Sequence, residues 1–469
     1  MIIAVVGSGG KTTRIHKLAE DYRKKGKKVL VTTTTHMFAE EDCELSGNVE
    51  RIIKKLEDCG YCMAGLPAEG GKMKSLDEET YEKICQFAEV VLVEADGSKG
   101  LPVKFPSERE PVIPKNAEEI HIVTGVSAIG KRLGDVCHRK ELVMQCLEEK
   151  EDTILTAPHL QILVKRAYEE PLIKKHPDKK IKICTGQVNT LYERVVSKFL
   201  EEGRDVSIVK PEWFETKPQL VVLGAGHVGK EIANLGKYLD FEVTVIDDRD
   251  DFVKKEDLSE VDEIYCHDFD TVEEVFPNVD NAFYVVVTRG HAADRICLEK
   301  ILNREYAYLG MIGSRKKIDA TYDILRKKGF SKEQLEKIHA PIGLKIGART
   351  PREIAMSVAA ELILEKNKIY SSTLNEELAV TKEQGVLCII LEKHGSSPRG
   401  EGSMMLVTQN GIIGSIGGGS LECKVIEAAR ETSRIKEEVF KLSNEESASQ
   451  GMICGGSNKI LFVPMKYEI

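Results

Sequence analysis

Short apolar runs recur along the chain, each followed by a glycine- or hydroxyl-rich turn and then a stretch of helical spacing. In the first part the runs are Met1–Val6, Lys28–Val31, Val90–Val93, Glu119–Thr124, Thr153–Thr156, Ile181–Cys184 and Val206–Val209. The middle holds Leu220–Leu223, Glu242–Ile246, Glu263–Cys266, Ala282–Val287 and Tyr306–Met311. The last part holds Val386–Leu391, Ser403–Val407, Ile412–Ile416 and Lys459–Val463, with a hairpin signal at Asn410-Gly411 between the second and third. In the first and middle parts, continuous apolar runs bounded by turns predict strands of parallel sheets buried on both faces. Helical patterns run to about Lys25, over Arg139–Glu149 and Leu191–Glu201, from Lys230, and over Pro351–Leu364, the last capped by Thr350 with Pro351 at its first position. The stretch Pro211–Pro218 breaks the pattern and reads as a linker. It carries the single Trp, Trp213, whose expected role is packing between domains. The fold class is α/β with three domains: 1–212, 218–367 and 371–469, the last a smaller α+β domain.

Bulk composition narrows the function. A length of 469 residues exceeds one ordinary core. With 42% hydrophobic and 30% charged residues, every domain can bury a core and stay hydrated outside. The net charge of -9, without a basic stripe interleaved with aromatics, argues against nucleic acid as a partner. No apolar run approaches membrane length, and Met1–Gly7 reads as a first strand rather than a signal peptide. The 12 Cys are scattered, mostly inside apolar runs such as those of Cys184 and Cys388, which is the usage of a reducing cytoplasm. Cys59-Gly60-Tyr61-Cys62 stands apart: its spacing suits a redox dithiol or half a zinc site. No second close pair completes a zinc site, and the plain alternative is two thiols in a helix-to-strand loop.

The first strand runs into Gly7-Ser8-Gly9-Gly10-Lys11-Thr12-Thr13 and then a helix. Strand, glycine loop, lysine, hydroxyl and helix form a phosphate cradle: backbone N–H groups wrap phosphates, Lys11 meets the terminal ones, and the Thr12 hydroxyl can ligate Mg²⁺. The loop is shorter than the usual Walker A and resembles that of the Mur ligases and folylpolyglutamate synthetases. Thr32–Thr35 bring four hydroxyls to a strand end, some of them as backbone caps. Val90–Val93 ends in Glu94-Ala95-Asp96, and either acid suits the metal position of a Walker B strand. His138-Arg139, after the turn Gly130–Gly134, is open between a phosphate or substrate contact and a solvated helix start.

Leu220–Leu223 ends in Gly224-Ala225-Gly226-His227-Val228-Gly229, a G-x-G-x-x-G turn, and the next strand ends at Asp247. Gly224 allows the tight turn, Gly226 the approach of a pyrophosphate, and Gly229 close packing of helix on strand. Asp247 stands at the distance where an acid meets a ribose hydroxyl, which makes this a Rossmann domain whose crevice is open between a dinucleotide or other bulky anion and a vacant or altered site. His291, Asp294, Ser314 and Arg315 follow later strands of the same sheet and line the same crevice. In the last segment, Gly395–Arg399 with Ser397 and Arg399, the run Gly417-Gly418-Gly419, and Cys454 beside Gly455-Gly456 imply backbone close to a bulky ligand. Cys454 is open between a reactive thiol and a structural one.

Gly224–Gly229, Gly290-His291, Gly313–Arg315, Pro341–Leu344, Gly395–Arg399, Gly414–Glu422 and Met452–Gly456 together resemble the XdhC/CoxI family, accessory factors of xanthine dehydrogenase and related molybdenum hydroxylases. Gly7–Thr13, Glu94–Ser98 and His138-Arg139 resemble the YqeC-type proteins of selenium-dependent molybdenum hydroxylase systems. The resemblance implies a factor that handles molybdenum cofactor (molybdopterin), assists its sulfuration or selenation, and delivers it to a client hydroxylase. A sulfur or selenium donor protein is an implied partner, and a homodimer is compatible with it. Two departures stand out. The glycine/cysteine segment follows the Rossmann segment instead of preceding it, as if permuted, and Ser420 stands where relatives often carry Cys.

The expected function is therefore maturation of a molybdenum hydroxylase, with ATP or GTP and Mg²⁺ at Gly7–Thr13 and on Thr12 and Glu94 or Asp96. Lys11, Asp96 and Cys454 are the expected chemical residues, and pterin or NAD the ligand of the glycine crevices. One rival is an NAD-dependent oxidoreductase fused to an ATP-dependent ligase-like domain. The other is a chaperone with vestigial nucleotide sites.

Overall fold

The computed structural model describes all residues except 98, 215–217, 257, 278–281, 370–373, 375, 396–398, 443–455 and 466–469. The chain divides into two compact units: Met1–Pro211 with Glu377–Ser396 and Met405–Ile469, and Glu212–Glu376 with Ser397–Met404.

The first unit contains a six-stranded parallel sheet in the spatial order Lys180–Gly186, Glu119–Gly125, Ile2–Gly7, Val90–Glu94, Val29–Thr33, Tyr61–Met63. All six residues of Ile2–Gly7 are buried, as are all five of Val90–Glu94, because helices cover both faces. From Ile2–Gly7 the chain crosses to Val29–Thr33, later returns to Val90–Glu94 between them, and then adds strands on the opposite side. The order therefore reverses beside Ile2–Gly7, and its carboxyl end is the switch point where open α/β sheets bind ligands. The same unit holds a five-stranded sheet in the order Ile412–Gly414, Met404–Thr408, Gly385–Gly395, Gly456–Met465, Lys436–Leu442. Ile412–Gly414 pairs antiparallel with Met404–Thr408, as the Asn410-Gly411 turn requires.

The second unit is a five-stranded parallel sheet in the order Glu263–Cys266, Glu242–Asp247, Gln219–Leu223, Phe283–Val286, Tyr308–Met311. Its helices include His227–Tyr238, His291–Leu302, Arg315–Lys327 and Pro351–Ile369. Trp213 is 2% exposed in this unit. Gly402, at φ +80°, lies so close that a Cβ would stand 2.4 Å from the Trp213 ring.

Several expected elements differ. Thr153–Thr156 is not a strand: Ile154 makes one isolated bridge to Arg132, and 48% of it is exposed. Val206–Ile208 is a single 3₁₀ turn capped by the Asp205 carboxylate, not a strand. The helix expected from Lys230 starts at His227, the one expected over Arg139–Glu149 spans Lys140–Leu147, and the one from Pro351 continues to Ile369. Cys59 closes the helix Val49–Cys59 and is exposed, whereas Cys62 is buried in a strand and burial pushes its thiol up to about 12. That buried, un-ionised thiol makes a redox dithiol unfavourable. Among the described residues no helix is long and apolar enough to cross a membrane.

Candidate functional site

The phosphate-type loop sits at the switch point of the first sheet. Gly9 adopts φ +71°, and a Cβ there would stand 2.4 Å from Gly125 Cα and 2.5 Å from Pro102 O. Only glycine fits beneath that backbone roof. The Ser8 N–H donates to Val123 O at 2.8 Å, and the Ser8 hydroxyl to Pro102 O at 3.0 Å. The helix Lys11–Lys24 starts from Gly10 without a side-chain cap, so its first-turn N–H groups face outward with the positive dipole end. Thr12 and Thr13 are exposed on that turn.

Lys11 is 4% exposed and turns back into the protein. Its ammonium donates to Gly7 O at 2.9 Å, to Asp96 O at 2.6 Å and to Asp96 Oδ1 at 2.7 Å. Asp96 is fully buried and also accepts from the Gly7 N–H at 3.0 Å and the Tyr168 hydroxyl at 3.0 Å. Lys104 Nζ lies 3.2 Å from Asp96 Oδ2 and 2.9 Å from Glu110 Oε2, which Arg139 Nη1 meets at 2.7 Å. Burial raises the Glu110 carboxyl, but the bonds from Arg139 and Lys104 hold it down at about 2. Arg139 is thus committed to Glu110, at a left-handed φ of +57°. Lys99 and Gln187 share that conformation, and backbone strain of this kind collects at ligand clamps.

Glu94 is the contrasting acid. It is 7% exposed, its Oε1 lies 3.7 Å from Lys11 Nζ, and its Oε2 has no hydrogen-bond partner among the described residues. Burial pushes its carboxyl up to about 7, against the pull of Lys11. An unpartnered buried carboxylate oxygen fits a cation, whereas both oxygens of Asp96 are filled by protein donors. Of the two expected metal-binding acids, Glu94 is the one with coordination capacity. Among the described residues no group of three or more His, Cys, Asp or Glu is placed to hold a metal ion. The Thr33 hydroxyl donates to Glu94 O and the Thr34 hydroxyl to Val112 O, so these two cap backbone. Sequence reasoning missed Lys104, Glu110 and Tyr168. None carried a sequence signal; Tyr168 is marked only in the structure, on the π turn Val164–Glu169, a distortion frequent at functional sites.

In the second unit Gly224 adopts φ +112°, and a Cβ would stand 2.5 Å from Val287 O. A Cβ on Gly229 would stand 1.8 Å from Gly224 O, whereas one on Gly226 meets nothing within 4 Å. Gly226 therefore faces open space at the start of an uncapped helix whose first residue, His227, is exposed. Asp247 is 1% exposed and already bonded: it accepts from Ala225 N at 2.7 Å, and from Arg249 Nε at 2.8 Å and Nη2 at 2.9 Å. His291 and Arg315 are exposed at their helix starts. Ser314 caps its helix by accepting from Lys317 N. Asp294 is fully buried, held by the Thr288 hydroxyl and the Lys317 ammonium, and is not open to a ligand.

In the glycine run of the last segment, Gly417 and Gly418 precede the helix Gly419–Arg430. Glu422 Oε2 accepts from Ile416 N at 3.1 Å and Gly418 N at 3.0 Å, so an internal carboxylate fills the anion nest expected there. Space remains on the other side of Gly418, where a Cβ would meet nothing. Arg399 is exposed. Ser397 and Cys454 lie outside the described residues.

These features define an α/β protein with a glycine loop at the switch point of one parallel sheet and a Rossmann-type domain. Residues 3–141 match the YqeC protein model, 220–362 the XdhC Rossmann domain, and 378–439 the XdhC and CoxI family. The chain is 34% identical over 157 residues to the uncharacterized protein YqeB of Escherichia coli K12, covering 32% of this chain and 28% of YqeB. It is 35% identical over 140 residues to the uncharacterized protein YqeC of the same strain, covering 28% and 54%. It is 28% identical over 155 residues to a probable xanthine dehydrogenase subunit of Bacillus subtilis 168, covering 33% and 45%. The matches thus span from about a quarter to about half of these relatives. The chain is a fusion of a YqeC-type segment with XdhC-type segments, the XdhC Rossmann segment preceding the XdhC/CoxI one.

Proposed function

We propose that the chain is an accessory maturation factor for a molybdenum hydroxylase of the xanthine dehydrogenase kind. The observation that carries this reading is that two separate segments, 220–362 and 378–439, match XdhC-family models on one chain with a YqeC segment. The YqeC-type segment is assigned ATP or GTP with Mg²⁺. The N–H groups of Lys11–Thr13 bind its phosphates, whereas the Lys11 ammonium, expected on the terminal phosphates, is spent on Gly7 O and Asp96 and holds the loop instead. Glu94 with the Thr12 hydroxyl binds the metal. The buried, unpartnered Glu94 Oε2 beside Lys11 supports this. When bound, the nucleotide supplies a transferable phosphoryl group. Asp96 orients Lys11 through its Oδ1, and Tyr168 and Lys104 hold Asp96. Molybdenum cofactor handling is assigned to the XdhC-type segments. The open backbone at Gly226 and at Gly418 suits a fused-ring ligand, and Cys454 is assigned the part of sulfur or selenium ligand.

The test is cofactor content. The full chain is purified without oxygen from a molybdenum-replete host, with molybdenum measured by mass spectrometry and pterin by fluorescence after oxidation. Near-stoichiometric pterin is expected. Its absence, with NAD held instead, overturns the carrier reading. Lys11→Ala is expected to abolish client maturation, and unchanged maturation overturns the nucleotide assignment.

A further inference from the structure

The ribose position of the Rossmann crevice does not fit a dinucleotide. That position needs a carboxylate with free oxygens at the end of the second strand. Asp247 stands there, but Oδ2 takes the Ala225 N–H and Arg249 Nη2, and Oδ1 takes Arg249 N at 3.1 Å and Nε at 2.8 Å. The fork is bidentate, the strongest geometry for this pair. Phe252 backs it, with the Arg249 guanidinium 3.6 Å from the ring centroid. Asp247 is left 1% exposed and Arg249 23% exposed.

The guanidinium does not make the position a receptor for a 2′-phosphate instead. Its Nε and Nη2 are committed to Asp247, and Asp248 Oδ1 lies 3.6 Å from Nε. Asp248, Asp250 and Asp251 are exposed around it, so a phosphate dianion meets a net negative rim.

We infer that Arg249 closes the ribose position by locking Asp247, so that the crevice rejects both NAD(H) and NADP(H) and admits only ligands that make no claim on Asp247. The phosphate-facing part, Gly226 with the start of His227–Tyr238, stays open. Arg249 is thus a specificity-determining residue, and the crevice is shaped for a ligand without adenosine ribose. The inference is independent of whether the chain matures a hydroxylase, because it concerns binding alone.

The experiment is fluorescence titration of the full chain with NADH and with NADPH, for wild type, Arg249→Ala and Phe252→Ala. Phe252→Ala loosens the guanidinium without touching the acid and serves if Arg249→Ala fails to fold. Wild type is expected to show no saturable binding of either nucleotide. Each variant is expected to gain NADH affinity by at least about tenfold, from the acid freed for the ribose diol. NADPH binding stays absent in Arg249→Ala, because the bared carboxylate repels the 2′-phosphate. Tight NADH or NADPH binding by wild type overturns the inference, and so does the absence of any NADH gain in both variants.

Discussion

Lys11 Nζ lies 2.7 Å from Asp96 Oδ1, with the two side chains 4% and 0% exposed. A buried ion pair is costly unless its remaining lone pairs and protons are met. Here they are: Gly7 O takes a second Lys11 proton, and Gly7 N, Tyr168 and Lys104 fill the other carboxylate positions. Asp96 is the hub. Asp96→Ala leaves Lys11 and Lys104 buried with the carboxylate between them gone, and the expected loss is about 3–5 kcal/mol. Lys11→Ala leaves Asp96 with Lys104, Tyr168 and Gly7, and the expected loss is about 1–3 kcal/mol. Urea unfolding of both variants checks the order, and the reverse order means that Asp96 is not the hub.

Glu94 behaves oppositely. Its folded carboxyl is pushed up to about 7 from an ordinary 4.5, because burial disfavours the charge. A raised folded value means that the native state holds the proton longer than the unfolded chain. The stability contribution is full below the unfolded value and is lost as pH rises through about 7. Glu94→Gln removes that slope. Above neutral pH the variant is expected to be more stable than wild type by on the order of 2 kcal/mol, while losing Mg²⁺-dependent nucleotide binding. Urea unfolding at about pH 5 and about pH 8 reads the first effect and calorimetric titration the second. Equal slopes for the two proteins reject the assignment.

The regular parts of the fold are legible because parallel strands bury both faces. The apolar run at Leu220–Leu223 is buried along its whole length within the strand Gln219–Leu223, and the helical pattern at Leu191–Glu201 matches the structure residue for residue. Lys436–Leu442 gives no such signal because it is a charged edge strand, with Val439 55% exposed. Thr153–Thr156 misleads because a short apolar run does not say whether a partner strand is there to take it. The chemistry divides in the same way. Lys11 and Gly224–Gly229 announce themselves by spacing along their own strand-turn-helix units, and Glu94 by its place at the end of an apolar strand. Tyr168, 72 residues from Asp96, and Lys104, between Asp96 and Glu110, become site residues only through tertiary approach. Asp247 is visible as an acid, but its closure by Arg249 depends on how the chain turns after the strand.

A second titrating cluster lies in the Rossmann unit. His339 Nδ1 is 2.9 Å from Glu361 Oε1, and Glu361 Oε2 accepts from the Tyr308 hydroxyl at 3.0 Å and from the Gly343 N–H. The bond to Glu361 raises His339 above the ordinary imidazole range. Burial raises Glu361, but the bonds from His339, Gly343 and Tyr308 hold it below the carboxylate range. The signs follow. The His339 contribution is present below its unfolded value near about 6.5 and is lost as pH rises through the raised folded value. The Glu361 contribution is present above its unfolded value near about 4.3 and is lost as pH falls through the lowered folded value. The pair supports the unit most in mildly acidic solution. Glu361→Gln is expected to cost about 1–3 kcal/mol there and less in alkaline solution. Melting temperatures across pH check this, and a difference that does not vary with pH rejects the coupling.

The glycines of the Rossmann turn separate structure from ligand. Gly229 has no room: a Cβ at 1.8 Å from Gly224 O strikes backbone, which cannot move aside without breaking the turn. Gly229→Ala is expected to destabilise the unit by at least about 2 kcal/mol, even though alanine is the better helix former. Gly226 caps the helix at φ -69°, which any residue adopts, and faces open space. Gly226→Ala is expected to cost under about 1 kcal/mol, the difference between the two residues at a helix cap. Its cost falls instead on whatever approaches the helix start, because the methyl group occupies the space that a phosphate would take. Trp213, buried in the same unit, reports the unfolding by fluorescence in urea. A Gly226→Ala variant as unstable as Gly229→Ala means that the open face at Gly226 is packed in solution, and the crevice then has no room for an anion.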